Sequence, residues 1–236
     1  SSDFKKFTDS VDKLVKDNSC EIVVCPPLPL IAEQKNRKKQ GNIKLGAQDC
    51  HYLEKGAYTG DVSAVMLADF DSTHVIIGHS ERRLYHAESN EVICKKIKAA
   101  VCAGLIPILC VGETYNQRES NQVREVISSQ VRSAFADHAN IKASQIVIAY
   151  EPVWSIGTGK IPTIKEITEV CTIIKESLSY IGVEPSQKKI HILYGGSVND
   201  DNVEELNKVE VLSGFLVGSA SLDSKKFSNI INSRKH

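Results

Sequence analysis

Short apolar runs recur along the chain at Glu21 to Cys25, Ile43 to Gln48, His74 to Gly78, Ile106 to Val111, Ile146 to Tyr150, Ile190 to Tyr194 and Gly214 to Val217. They are dense in Val, Ile and Leu and lack the strict alternation of a half-exposed sheet, which is the pattern of strands covered on both faces. Between them lie stretches of helical periodicity, and each run starts about one βα unit after the last. No Pro/Gly/Ser-rich linker or shift in composition divides the chain, so the pattern predicts one domain over residues 1–236, built of parallel βα units. A doubly wound sheet and a closed (β/α)8 barrel, the TIM barrel, both alternate in this way. The barrel places eight strands in roughly 200 to 250 residues or more, so the count favours a barrel one strand short.

The shortfall is at the front. Phe4, Phe7, Val11, Leu14 and Val15 recur at helical spacing behind a Ser1, Ser2, Asp3 capping cluster, so the chain is expected to open with a helix. A barrel should open with a strand, because an incomplete ring leaves two exposed edges. The expectation is a first strand of about ten residues before Ser1.

Composition narrows the function classes. At 236 residues, 42% hydrophobic and a mean hydropathy of −0.18, the chain can bury a core without staples. Lys plus Arg equal Asp plus Glu at 29 each, so no net field favours nucleic acid or an anionic membrane, and any bound anion must be held by local geometry. No apolar run approaches the roughly 20 residues of a membrane span, and the opening segment lacks a signal peptide's apolar core. The seven cysteines are odd in number and form no C-x-x-C pair, which points to reduced thiols in a cytoplasm and away from a thiolate metal site. The basic stretch Lys35, Arg37, Lys38, Lys39 is read as a solvated helix end.

In such a barrel the chemistry gathers on the loops after the C-terminal ends of strands. The third run leads into Gly78-His79-Ser80-Glu81-Arg82-Arg83. A helical turn opening here would set the imidazole of His79 among backbone N–H groups and keep it neutral; the plainer reading is a strand-end histidine satisfied by backbone. The fifth run ends at Glu151, a carboxylate costly to bury unless it has a partner or a raised pKa suited to a general base. The tip that follows, Ser155 to Lys160 between Pro152 and Pro162, suits a lid. Gly159-Lys160 is not a P-loop, since Trp154 and Ile161 stand where that motif needs Gly and Ser or Thr. Tyr194-Gly195-Gly196-Ser197 and Gly218-Ser219-Ala220-Ser221 follow the last two runs, where barrels frequently bind phosphate; unliganded tight turns are the alternative for each.

The strings Ala47-Gln48, Gly56 to Gly60, Gly78 to Arg83, Cys110-Val111-Gly112-Glu113, Ala149 to Trp154, Ile156 to Lys160, Tyr194 to Ser197 and Gly214 to Gly218 together resemble the triosephosphate isomerase family, in family order from about Cys25 to Leu222. The resemblance implies interconversion of dihydroxyacetone phosphate and D-glyceraldehyde 3-phosphate through an enediol(ate), in glycolysis and gluconeogenesis, with no metal and no cofactor. It gives Glu151 the role of base, His79 that of neutral electrophile and Glu81 that of supporting carboxylate, the acid/base pairing for which this family is a standard case. It gives the backbone N–H groups of Gly157, Ser197, Gly218 and Ser219 the substrate phosphate, and Trp154 to Lys160 the lid. It also implies a homodimer in which the Gln48 to Thr59 loop enters the neighbour and Thr59 supports the neighbour's site; Tyr52, Leu53 and Tyr58 are apolar for a free loop. A monomer with that loop folded back is the alternative.

Three departures accompany the resemblance. The family's first strand supplies an Asn and a Lys to the site, and this sequence has neither, which leaves a catalytically silent phosphate-binding barrel or scaffold as the alternative function. Ser219 stands where the family usually has Gly, at small cost if its φ is negative. Pro162 has no N–H for the Tyr194 hydroxyl to meet, so that hydroxyl should find a substitute partner or the lid should gate differently. A phosphate-binding epimerase or Schiff-base aldolase would need a metal set or a strand-end lysine, which His79 and Glu151 do not supply.

Overall fold

The computed structural model describes residues 2–15, 20–34, 43–136, 146–156, 158, 160–183 and 190–233. Lys35, Arg37, Lys38 and Lys39 lie outside them, as does Gly157. The described chain runs α1 (Ser2–Leu14), β1 (Ile22–Val24), α2 (Leu28–Gln34), β2 (Ile43–Ala47), α3 (Ala64–Asp69), β3 (His74–Ile77), α4 (Ser80–Tyr85), α5 (Asn90–Cys102) and β4 (Ile106–Val111). It continues α6 (Tyr115–Glu119), α7 (Val123–Ala134), β5 (Val147–Tyr150), α8 (Ile164–Tyr180), β6 (His191–Tyr194), α9 (Val203–Leu206), β7 (Gly214–Phe215) and α10 (Ser224–Asn232), with 3-10 turns at Val153–Ser155 and Ser219–Leu222.

Among the described residues seven parallel strands form one sheet in the order β1 to β7. Each strand pairs with its neighbour in sequence, which is the walk of a (β/α)8 barrel; a doubly wound sheet reverses direction and would break the order. Among the described residues β1 pairs only with β2, and β7 only with β6. The expected runs are all strands, β4 at its full expected length and the others trimmed at their ends. β7 loses two residues from its C-terminal end and stops at Phe215, its ladder resting on β6 alone, although Leu216 still donates to the Tyr194 carbonyl at 2.9 Å.

The opening helix forms as expected. Val11 is buried, Phe4, Phe7 and Phe227 stack in sequence and tie α1 to α10, and the Asn232 side chain donates to the Leu14 carbonyl at 3.0 Å.

The alternation of strand faces positions the chemistry. Leu109, Val111, Ile148 and Tyr150 point out into the large apolar layer beneath the helices, while Ile108, Cys110 and Ala149 point inward with Ile76, Val147, Leu193 and Leu216. With a period of two, the residue after Tyr150 faces inward, so Glu151 is delivered to the interior at the C-terminal mouth of the sheet. At β3, Gly78 adopts φ +72, a left-handed conformation that stops the strand and turns the chain into α4. A Cβ there would also lie 2.9 Å from Ile93 Cδ1.

Candidate active site

Glu151 is 2% exposed, and its backbone N–H donates to the Val111 carbonyl at 2.8 Å. One carboxylate oxygen, Oε2, accepts the N–H of Ser80 at 3.0 Å. The other, Oε1, lies 3.1 Å from His79 Nε2, yet no donor is aligned on it among the described residues. Burial raises the Glu151 pKa above the usual carboxylate range, opposed by His79, the Ser80 N–H, the Cys110 thiol and Arg83. A buried carboxylate with one oxygen held and one unpaired is suited to accept a proton from a bound molecule.

His79 is the N-cap of α4, and its Nδ1 accepts the Glu81 N–H at 3.3 Å. A ring nitrogen that accepts carries no proton, so the neutral imidazole holds its hydrogen on Nε2, the nitrogen facing Glu151. The helical turn expected after Gly78 therefore exists and turns Nε2 toward Glu151. The Glu81 carboxylate is mostly exposed and stands 3.7 Å from Nδ1, where it meets no ring hydrogen in this tautomer.

Glycines and Arg83 make the surroundings tight. A Cβ on Gly112 would fall 1.7 Å from the Glu151 carbonyl oxygen, and one on Gly195 would fall 2.9 Å from Glu151 Cγ, so only glycine lets the two loops close on the acid. Gly112 is clamped by Gln130, which accepts its N–H at 2.8 Å and donates to its carbonyl at 3.1 Å. Arg83 donates to the carbonyls of Gly78 at 2.8 Å and Cys110 at 3.0 Å, stitching the ends of β3 and β4 together. The Cys110 thiol is fully buried, and burial with the neighbouring Glu151 charge raises its pKa well above the ordinary value, so it stays protonated as a small donor.

The segment leaving β5 is pinned to the β4 loop. Glu113, fully buried, accepts from the Tyr150 hydroxyl at 3.1 Å, Trp154 Nε1 at 2.8 Å and Arg118 at 2.9 Å, while Arg118 also stacks over the Trp154 ring and bonds Glu166. On the return leg Pro162 is buried and Thr163 opens α8 with a capping box to Glu166. The Tyr194 hydroxyl meets Ser155 Oγ at 3.2 Å, the substitute partner that Pro162 demands.

Of the phosphate candidates, Ser197 follows β6, and Gly218 and Ser219 follow β7, at the same end of the sheet as His79 and Glu151. Among the described residues none of their three N–H groups finds an acceptor, as an anion cradle requires. Ser219 is absent from the positive-φ residues, so its side chain brings no backbone strain. Gly157 lies outside the described residues.

Ser80, Gly112, Glu113 and Arg83 are not singled out by sequence, and Ser155 is read only as the start of the lid tip. Their strings were visible, yet their roles rest on contacts made across the mouth of the sheet, which no local pattern reports.

Residues 1–234 match the family model described as triosephosphate isomerase. Among curated relatives, the triosephosphate isomerase of Endomicrobium trichonymphae is 45% identical over 218 residues, 92% of this chain and 87% of that protein. That of Dictyoglomus thermophilum is 46% identical over 213 residues, covering 90% and 86%. The crystal structure of triosephosphate isomerase from Bartonella henselae superposes with a TM-score of 0.88 at 36% identity, covering 99% of this chain and 93% of that one.

Proposed function

The chain belongs to the triosephosphate isomerase family, and from that premise we infer how its own residues divide the isomerisation. The reaction moves a proton between adjacent carbons of a phosphorylated triose, converting dihydroxyacetone phosphate and D-glyceraldehyde 3-phosphate into one another in glycolysis. The catalytically silent barrel is not favoured, since relatives bearing the isomerase name match across most of the chain.

Glu151 is the base. It takes the carbon-bound proton of one tautomer and returns it to the neighbouring carbon, and its raised pKa brings it nearer the driving force such a transfer needs. His79, neutral with Nε2–H forward, donates to the carbonyl oxygen and stabilises the negative charge that develops there. In this structure Nε2 faces Glu151, and Ser80 holds the acid, so binding substrate requires the carboxylate to exchange those neighbours for the triose. The part proposed for Glu81 passes to its backbone N–H, which holds the imidazole through Nδ1, while its carboxylate meets no ring hydrogen. The N–H groups of Ser197, Gly218 and Ser219, with Gly157 by resemblance, hold the phosphate, and the tip from Trp154 to Lys160 covers it. Excluding water strengthens these bonds and protects the enediol from losing phosphate.

The observation that carries the reading is the convergence of an unpaired buried Glu151 oxygen and a neutral His79 Nε2 at 3.1 Å. Glu151→Asp tests it. The substitution withdraws the base by one methylene, and turnover is expected to fall at least 100-fold with a smaller change in KM; turnover at the level of the unmodified protein refutes the assignment.

The partner proposed is a second copy of the chain, joined through the Gln48 to Thr59 loop. Leu53 and Tyr58 are exposed on that loop, and Leu84 and Tyr85 at 67% and 75% exposure stand on α4, which Arg82 ties to Asp49 at 3.0 Å. Exposed apolar side chains of this kind suit an interface. Among the described residues no helix is long and apolar enough to cross a membrane. The cysteines are free thiols, which supports placement in a reducing cytoplasm.

A further inference from the structure

The chain leaving β5 passes from Glu151 through the Val153–Ser155 turn and returns at Lys160 to enter α8. Ser155 lies at its centre, fully buried. Its N–H donates to the Pro152 carbonyl at 2.8 Å, and its carbonyl accepts from Thr158 Oγ1 at 3.3 Å. Its Oγ lies 2.5 Å from the Lys160 carbonyl and 3.2 Å from the Tyr194 hydroxyl. A carbonyl can only accept, so the single serine proton goes to Lys160, and Tyr194 must donate to Ser155. One hydroxyl thus joins the outgoing leg, the returning leg and the start of the loop after β6. Pro162 offers no N–H on the returning leg, so the serine supplies the polar link there.

Two routes lead from this link to the acid. One is the chain itself, four residues back from Ser155 to Glu151. The other runs through Tyr194 to Gly195, which donates to the Tyr150 carbonyl at 2.8 Å and whose missing side chain leaves the space filled by Glu151 Cγ. The link also sits hard against Gly196, where a Cβ would fall 2.2 Å from the Tyr194 hydroxyl and 3.0 Å from Ser155 Oγ.

We propose that Ser155 is a positioning residue for the isomerisation: its hydroxyl, held between Tyr194 and the Lys160 carbonyl, fixes the segment leaving β5 and the wall of Gly195 against Glu151. The proposal rests on the reading of Glu151 as the base. Removing either hydroxyl breaks the same link, and the two losses should not add.

Ser155→Ala, Tyr194→Phe and the double substitution, made in the whole protein and compared with Glu151→Gln, test this by kcat, KM and Tm. Each single change is expected to lower kcat roughly tenfold, the worth of one buried hydrogen bond, with KM changed less than about twofold. The double is expected to match the weaker single. Additive losses, or a lower Tm with kcat unchanged, overturn the proposal. If Ser155→Ala fails to fold, Tyr194→Phe breaks the same bond from the other end, and full kcat in that variant overturns it equally. Full activity in Glu151→Gln would remove the underlying base assignment as well; an inactive Glu151→Gln beside fully active link variants would remove this proposal alone.

Discussion

Glu151 carries a cost that its function explains. Its native pKa lies above the ordinary value near 4.5, chiefly through burial, so the folded protein binds a proton there more readily than the unfolded chain does. The group therefore favours folding below the unfolded value, and that advantage is lost as pH rises through the native one. Above its native pKa the charged acid is a burden on stability. Glu151→Gln is expected to abolish turnover while raising Tm, by roughly 2–4 °C for each 1 kcal/mol relieved; the gain should shrink as pH is lowered toward the ordinary carboxylate value, followed by calorimetry across that range. The same shift has a kinetic sign. Activity requires the unprotonated acid, so the acid limb of kcat/KM should fall at a pH above the usual carboxylate range. Sequence went far at this residue, since a lone Glu ending a Val/Ile run is costly without a purpose. It could not show which oxygen is held by Ser80, because that bond spans β3 to β5.

The loops that end β4 and β6 act as walls around this acid, and they tolerate no side chain where they meet it. Gly112→Ala would place a Cβ 1.7 Å from the Glu151 carbonyl oxygen, against backbone that cannot swing away. Its stability is expected to drop by more than about 3 kcal/mol, readable as a lowered denaturant midpoint. A midpoint unchanged by the substitution would contradict the close approach described here. The strands themselves were legible because residues buried on both faces read as continuous apolar runs, and α4 was legible from its polar opening after Gly78. The ends of elements were not: β7 was read to Val217 and stops at Phe215, since pairing depends on a neighbour that its own residues do not specify. The need for Gly at 112 was equally hidden, because the obstructing atom belongs to residue 151.

Across the molecule, a buried ionic cluster braces the face proposed to meet a second copy. Lys96 donates to Asp49 at 2.7 Å and Glu88 at 2.6 Å, and Arg82 pairs with both carboxylates, so the loop after β2 is fastened to α4 and α5. Lys96→Met leaves Asp49 and Glu88 to share Arg82 alone and is expected to cost about 3 kcal/mol, measured by denaturant unfolding. Sedimentation of the intact protein should give the mass of two chains, and replacing Leu53 and Tyr58 with Asp should shift it toward one; a monomer before substitution would contradict the proposed interface. No period in the sequence marks this cluster, whose members are brought together only by the turn of the chain from β2 through α5.

The central claim is that Glu151 moves the carbon-bound proton, and solvent isotope exchange reads that step directly. With dihydroxyacetone phosphate in D2O, the unmodified protein is expected to incorporate deuterium at the carbon next to the carbonyl, and Glu151→Gln, folded and with an equal or higher Tm, is expected to incorporate none above the uncatalysed rate. Exchange by Glu151→Gln at the unmodified rate would contradict the account.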